Sequence, residues 1–198
     1  MTDMAPFLPP YAVHGQGEAS EWVQRWSHLV RPAGTVLDLA CGHGRHMKWF
    51  AHQGHAVTGV DRSAEAIQAV SILGEAVLAD IESGPWPLLQ DGQPRQFDGI
   101  VVTNYLWREL FDRISDSLAP GGILIYETFA QGNETVGKPS RPDFLLQPAE
   151  LLHVFSHLNI IAFEQGFLEG PPRFIQRLAA SRSGKPGGTG PLPARYTL

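Results

Sequence analysis

Short apolar runs and amphipathic stretches alternate along most of this chain. TVLDLA (35–40), HAVTGVD (55–61), EAVLAD (75–80), FDGIVVT (97–103) and ILIYETF (123–129) are brief, rich in β-branched residues and nearly free of charge inside. That is the pattern of strands covered on both faces. Between them the apolar period lengthens to that of a helix. Such stretches run from Gly44 to about Gln53, over 63–73, where Ser63 caps and Glu65 supports the first turn, and over about Trp107 to Leu118. A leading helix over about Ser20 to Val30 sets Trp22, Val23, Trp26, Leu29 and Val30 on one face before Pro32 and Gly34 stop it. The alternation predicts an open parallel α/β sheet, whose ligands bind beyond the carboxyl ends of the strands.

The punctuation between elements refines this. Residues 81–96 hold too much Pro and Gly for a helix and read as an irregular link across the sheet, and Ala119–Gly122 reads as a turn feeding the fifth strand. Residues 130–144 are polar and long enough to be a lid over the active face. Pro148 opens a short helix to about Ser156. NIIAFEQGF (159–167) and FIQRLAA (174–180) are joined by so short a connection that they form a hairpin, which turns the last strand antiparallel. The expected organisation is an arm or lid at 1–17, one folded domain at 18–182, and a flexible Gly- and Pro-rich tail at 183–198.

Composition narrows the setting. The 198 residues, 43% hydrophobic and 18% charged, suit one globular domain. The single cysteine, Cys41, and the lack of any Cys-x-x-Cys pair exclude a disulfide scaffold and fit a cytoplasmic protein. The first residues lack a basic segment followed by an apolar one, and no run of about 18 apolar residues occurs, so neither export nor a membrane partner is expected. A net charge of -5 argues against a large nucleic-acid footprint and favours a small-molecule partner. Cys41, His43, His46, His52 and His55 do not have zinc-ligand spacing, so no metal site is expected. Trp22, Trp26 and Trp49 read as core.

The chemistry concentrates in VLDLACGHGRH (36–46). Gly42 and Gly44 permit a sharp strand-to-helix turn against which a ligand can lie on bare backbone. A dinucleotide fingerprint would place a third glycine where Met47 stands, and Asp38 just before the loop would oppose a pyrophosphate. Asp61 ends the second strand, where a carboxylate can accept hydrogen bonds from both ribose hydroxyls, and Asp80 ends the third, within reach of an adenine amine. Carboxylates at three successive strand ends suit a cationic adenosine.

With VTGVDRSAEAI (57–67), LADIE (78–82), FDGIVVTNYL (97–106) and LAPGGILIYETF (118–129), this stretch resembles the motifs of the class I S-adenosylmethionine-dependent methyltransferases over residues 20–181. Among these, it is similar to the tellurite-resistance-type and other small-molecule enzymes. The resemblance implies a Rossmann-like α/β fold: seven strands in order 3-2-1-4-5-7-6, the last antiparallel, with helices on both faces. It also implies S-adenosylmethionine as cofactor, held by Asp38, Ala40, Gly42, Gly44, Asp61, Arg62, Asp80, Ile81 and Asn104.

On the acceptor side, Asn104, Tyr105 and Glu127 are candidates for positioning or for a general base, with His14 in the arm. A polar residue followed by Pro-Pro-aromatic, the amino-methyltransferase signature, is absent because 103–106 reads Thr-Asn-Tyr-Leu. Lys138 and Arg141 in the loop, with Arg108 and Arg173, are placed to receive a carboxylate on the acceptor. Three readings stand beside a small-molecule methyltransferase: a catalytically silent cofactor-binding partner subunit, an RNA methyltransferase, and a nucleotide-dependent oxidoreductase, which Met47 and Asp38 oppose.

Overall fold

The computed structural model describes residues 17–184, 196 and 197, so the expected arm, most of the expected tail and His14 lie outside the described residues. The sheet strands are β1 (Thr35–Leu39), β2 (Ala56–Asp61), β3 (Glu75–Leu78), β4 (Phe97–Thr103), β5 (Leu118–Phe129), β6 (Asn159–Glu169) and β7 (Pro172–Ser181). They lie in the order β3-β2-β1-β4-β5-β7-β6. β3 to β5 are mutually parallel through β1 and β2, and β7 runs antiparallel to both β5 and β6. The expected order and the reversed last strand are both present.

Among the described residues, five α-helices cover the sheet: α1 (Glu21–Trp26), α2 (Arg45–His52), α3 (Ala64–Val70), α4 (Phe111–Asp116) and α5 (Glu150–Val154). Strand side chains alternate between two cores, as a period of two requires. Val101, Ile123 and Ile125 join Trp22, Trp26, Met47, Phe50 and Val70 under α1, α2 and α3. Ile100, Val102, Leu124 and Tyr126 join Phe111, Ile114, Leu151 and Phe155 under α4 and α5. Trp22 and Trp26 are buried and pack edge to face at 5.6 Å.

Three segments differ from expectation. The leading and fourth helices each break into a 3₁₀ turn, at Ser27–Leu29 and Arg108–Leu110, so both α-helical parts are shorter. Ala119–Gly122 is absorbed into β5 as a bulge: Leu118 pairs with Phe97 and pairing resumes at Ile123 with Gly99, Gly121 taking φ 80°. The 81–96 link holds a small hairpin, Leu89–Gln90 against Gln93–Pro94. Its turn is Asp91-Gly92, both at positive φ, a sequence favoured in two-residue hairpins.

Two local constraints fix the active edge. Gly44 enters α2 at φ 73°, and a Cβ there would sit 2.5 Å from Val70 Cγ1. Asp98 staples β4 to β1, accepting hydrogen bonds from Thr35 N (2.8 Å) and Thr35 Oγ1 (3.0 Å) and pairing with Arg31 at 2.5 Å. Burial pushes the Asp98 carboxyl up, but Arg31 and Thr35 together hold it below the usual range. A depressed carboxyl stabilises the fold above its unfolded value near ~3.9 and loses that contribution as pH falls through the folded value. Asp98→Asn is therefore less stable than wild type at neutral pH, with the difference shrinking below about pH 4 in denaturant titrations. Gly44→Ala costs about 2–4 kcal/mol in the same assay, from left-handed strain plus overpacking.

Candidate active site

A cavity of about 550 Å³ opens at the carboxyl ends of β1 to β5. Its floor and one side are strand exits: Ala40, Asp61, Arg62, Ala79, Asp80, Ile81, Glu82, Asn104, Tyr105, Leu106, Thr128 and Phe129. Lys138, Pro139 and Phe144 of the 130–144 loop complete it. Of the residues singled out from sequence, Ala40, Asp61, Arg62, Asp80, Ile81, Asn104 and Tyr105 line this cavity together.

The glycine turn stands behind the wall and is locked to it. Asp61 Oδ2 accepts the Gly42 N–H at 2.8 Å, and its Oδ1 accepts the Ser63 N–H at 2.9 Å. A carboxylate has about four acceptor positions. Asp61 also lines the cavity, where acceptor capacity beyond these two bonds can meet a ligand. Ala40 and Asn104 leave β1 and β4 at φ 54°, a strained conformation for residues other than glycine, and both line the site. Asn104 is held there by its N–H bond to Glu127 O at 2.9 Å. Asp80 also closes its own turn, accepting from Glu82 N (3.0 Å), Ser83 N (3.3 Å) and Ser83 Oγ (2.5 Å). The Ser83 hydroxyl, then the Glu82 N–H, hold the Asp80 carboxyl below its usual range.

Asp38 does not line the cavity. It is buried beneath the turn, with Oδ1 facing His46 Nδ1 at 3.8 Å and Oδ2 without a hydrogen-bond partner among the described residues. His46 Nε2 accepts the Ser20 N–H at 3.3 Å, which assigns the ring proton to Nδ1 on the side of Asp38. Sequence reasoning missed Arg45, the first residue of α2. Its guanidinium reaches Thr103 Oγ1 at 3.5 Å. Burial lowers its pKa, while Asp38 and Glu127 act in the opposite sense and Arg173 adds to the lowering. Its position directly after the glycine turn was the available signal.

Glu127 requires a correction. Strand alternation sends Tyr126 and Thr128 to the α4 side and the cavity, and Glu127 to the α1 side. There it is buried 3.4 Å from Arg177, which also pairs with Glu164 at 2.5 Å and covers the Trp22 ring at 4.7 Å. Glu127 is placed as a structural ion pair and does not reach the cavity. Tyr105 lines the cavity, but burial, followed by the charge of Glu82, pushes its phenol up. Such a phenol donates a proton bond and is a poor base. Thr128, Phe129 and Phe144 were also missed; strand-end position was a signal for the first two, and nothing local marked Phe144.

The expected carboxylate receivers divide. Arg108 spans both Glu150 oxygens (2.7 and 2.9 Å) and donates to Asp143 O and Leu145 O. Arg141 pairs with Asp143 at 3.0 Å. Arg173 lies toward Arg45, and only Lys138 of the four lines the cavity.

This fold and its strand-end cavity are shared with a known family of transferase domains. A family model described as methyltransferase domain matches residues 11–162, and the chain belongs to that family. It is 28% identical over 141 residues to a tRNA U34 carboxymethyltransferase of Klebsiella pneumoniae, covering 63% of this chain and 42% of that one. The chain spans less than half the length of the curated relatives it matches. TehB from Haemophilus influenzae superposes with TM-score 0.66 at 21% identity, covering 88% of this chain and 64% of that one. A Burkholderia thailandensis 1,6-didemethyltoxoflavin-N1-methyltransferase, solved with 1,6-didemethyltoxoflavin and S-adenosylhomocysteine, superposes with TM-score 0.57 at 20% identity, covering 82% and 76%.

The two tyrosines at the site make a paired test. Among the described residues Tyr105 Oη is buried with no partner of good hydrogen-bond geometry, whereas Tyr126 Oη donates to Tyr105 O at 3.0 Å. Tyr105→Phe changes stability by less than about 0.5 kcal/mol, while Tyr126→Phe, which orphans a carbonyl, costs about 1–2 kcal/mol in chemical denaturation.

Proposed function

We propose that the cavity holds S-adenosylmethionine and a small-molecule acceptor side by side, and that the methyl group passes between them by direct in-line displacement. The observation that carries this reading is the set of strand-end carboxylates around one glycine turn, with Asp38 Oδ2 buried and unpartnered among the described residues. An orphaned buried carboxylate oxygen needs a cationic or donor partner, which suits an ammonium. Asp61 offers its remaining acceptor capacity to vicinal hydroxyls, and Asp80 with Ile81 borders the space for adenine. Arg45, near enough to Asp38 for their charges to interact, would take the carboxylate end of the same ligand.

When bound, S-adenosylmethionine supplies a sulfonium methyl: displacement forms one acceptor–carbon bond, breaks the sulfur–carbon bond, leaves the electron pair on sulfur as S-adenosylhomocysteine, and sheds any acceptor proton to water. The chain's task is then placement, which can supply several kcal/mol by holding two reactants close and aligned. Asn104 and Thr128 are the polar groups at the strand ends beside that space. Tyr105 stays protonated and Glu127 is turned away, so the favoured acceptor arrives with its nucleophilic lone pair already free. A carboxylate on the acceptor would meet Lys138.

The domain proposed for this work is residues 18–182, in the cytoplasm, where buried Cys41 stays a thiol. Among the described residues no helix is long and apolar enough to cross a membrane. The tRNA relative keeps an RNA acceptor as the second reading; it requires salt-dependent RNA binding, which the net charge of -5 disfavours. A silent partner subunit would bind cofactor without turnover.

S-adenosylhomocysteine raises the melting temperature, and Asp61→Ala weakens its affinity about 100-fold by calorimetry, the loss of two charge-assisted hydrogen bonds. Stabilisation by NAD with no response to S-adenosylhomocysteine would overturn the reading.

A further inference from the structure

The acceptor side of the cavity is built unlike the cofactor side. Asp61, Asp80 and Glu82 collect on the exits of β2 and β3, with Arg62 facing Glu82 at 3.8 Å. Tyr105, which adjoins Glu82, forms with Leu106, Phe129, Pro139 and Phe144 an apolar wall with three aromatic rings. One charge stands in that wall, Lys138. Arg141 in the same loop has its charge matched by Asp143, and Arg108, which grips the loop from the turn after β4, has its charge matched by Glu150. Lys138 has no ion pair among the described residues.

The loop segment bearing it is also fixed. Asn133, 1% exposed, donates through Nδ2 to Pro139 O at 2.9 Å and accepts the Phe174 N–H on Oδ1 at 3.1 Å. One buried side chain thereby ties the residue after Lys138 to β7. Behind it, Gly132 lies so close to the Phe174 ring that a Cβ would fall 2.9 Å from it. A lysine on a solvated loop needs no such anchoring.

We infer that the acceptor is a planar aromatic carboxylate, its ring against Tyr105, Phe129 and Phe144 and its carboxylate on Lys138, an assignment that rests on the methyl-transfer reading of the same cavity. Flat rings match an apolar wall of aromatic faces and edges. A carboxylate facing a lysine in a site closed by ligand forms a charge-assisted hydrogen bond, stronger than the neutral equivalent. The reacting atom, a ring nitrogen, thiolate or phenolate, then lies toward Asn104 and Thr128, at the end of the ring away from Lys138. The same geometry disfavours a nucleotide in RNA, whose phosphates would need several cations at this rim.

The test uses the full chain saturated with S-adenosylhomocysteine and titrated calorimetrically with nicotinate, 2-mercaptobenzoate and 4-hydroxybenzoate, each beside its own amide. At least one acid binds about tenfold more tightly than its amide. Lys138→Met removes that preference while leaving the amide and S-adenosylhomocysteine affinities within twofold. Lys138→Arg restores most of it. Equal binding of acids and amides, no binding of any acid, or a preference that survives Lys138→Met overturns the inference. So does a salt-dependent gain in affinity for an RNA stem-loop over every acid. Loss of S-adenosylhomocysteine affinity in Lys138→Met reassigns the lysine to the cofactor and equally overturns it. Failure of S-adenosylhomocysteine to bind the wild-type chain marks failure of the underlying methyl-transfer reading instead.

Discussion

The Asp61 carboxylate holds the active edge of this protein together. Parallel strands β1 and β2 lie about 4.8 Å apart, and the Cys41 N–H bond to Val60 O at 3.0 Å joins their exits one residue short of the turn. Asp61 carries that link into the turn by accepting one backbone N–H from the β1 exit, Gly42, and one from the start of α3, Ser63. Two donors offset much of the cost of holding a partly buried charge. The arrangement needs Gly42 at φ 52° so that its N–H points across the strands, and it needs Gly59, where a Cβ would fall 2.3 Å from Met47 Sδ, so that α2 can sit low on β2. Ser63 then caps α3 through Ala66 N at 3.3 Å. A single carboxylate therefore joins turn, helix and cavity wall.

Strand alternation divides the polar groups above the sheet into two compartments. Odd and even positions of β5 face opposite ways, so Thr128 enters the cavity while Glu127 joins Arg177 and Glu164 under α1. On β4, Thr103 meets Arg45 and His46, whereas Asn104, turned by its positive φ, faces the cavity. The compartment under α1 and α2 holds Asp38, His46, Arg45, Glu127 and Arg177, groups whose charges nearly compensate. It reaches Ser20 at the start of α1 through His46. The position of the leading helix and the floor of the site are thus coupled by one imidazole.

The fold was legible because its signals repeat: five apolar runs, each followed by a turn or helix cap, and a hairpin too short to cross over. Legibility failed where local sequence had two physical outcomes. Ala119–Gly122 has turn composition, yet pairing on both sides of it makes a bulge in β5. Asp91-Gly92 carried a hairpin signal that the Pro-rich surroundings of the link obscured. At the site, strand-end residues such as Asp61 and Asn104 could be placed because a parallel sheet brings every strand end to one rim. Glu127 misled because its place near a strand end was read without the face its parity assigns it. Phe144 was invisible, since its approach depends on how a long loop folds back.

That loop's course has a physical cause. Arg108, just after β4, grips both oxygens of Glu150 and the carbonyls of Asp143 and Leu145, while Leu146 N bonds Phe129 O at 3.0 Å. Asn133 performs the same service at the other end. A guanidinium committed to four acceptors has little left for a ligand, so Arg108 sets where the loop lies and leaves what it recognises to other residues. Between the two anchors the chain offers the cavity a lysine, a proline and a phenylalanine. The anchored loop thus completes a wall begun by Tyr105, Leu106 and Phe129 at the strand ends, so the shape of the cavity depends on the sheet and on the loop's two anchors together.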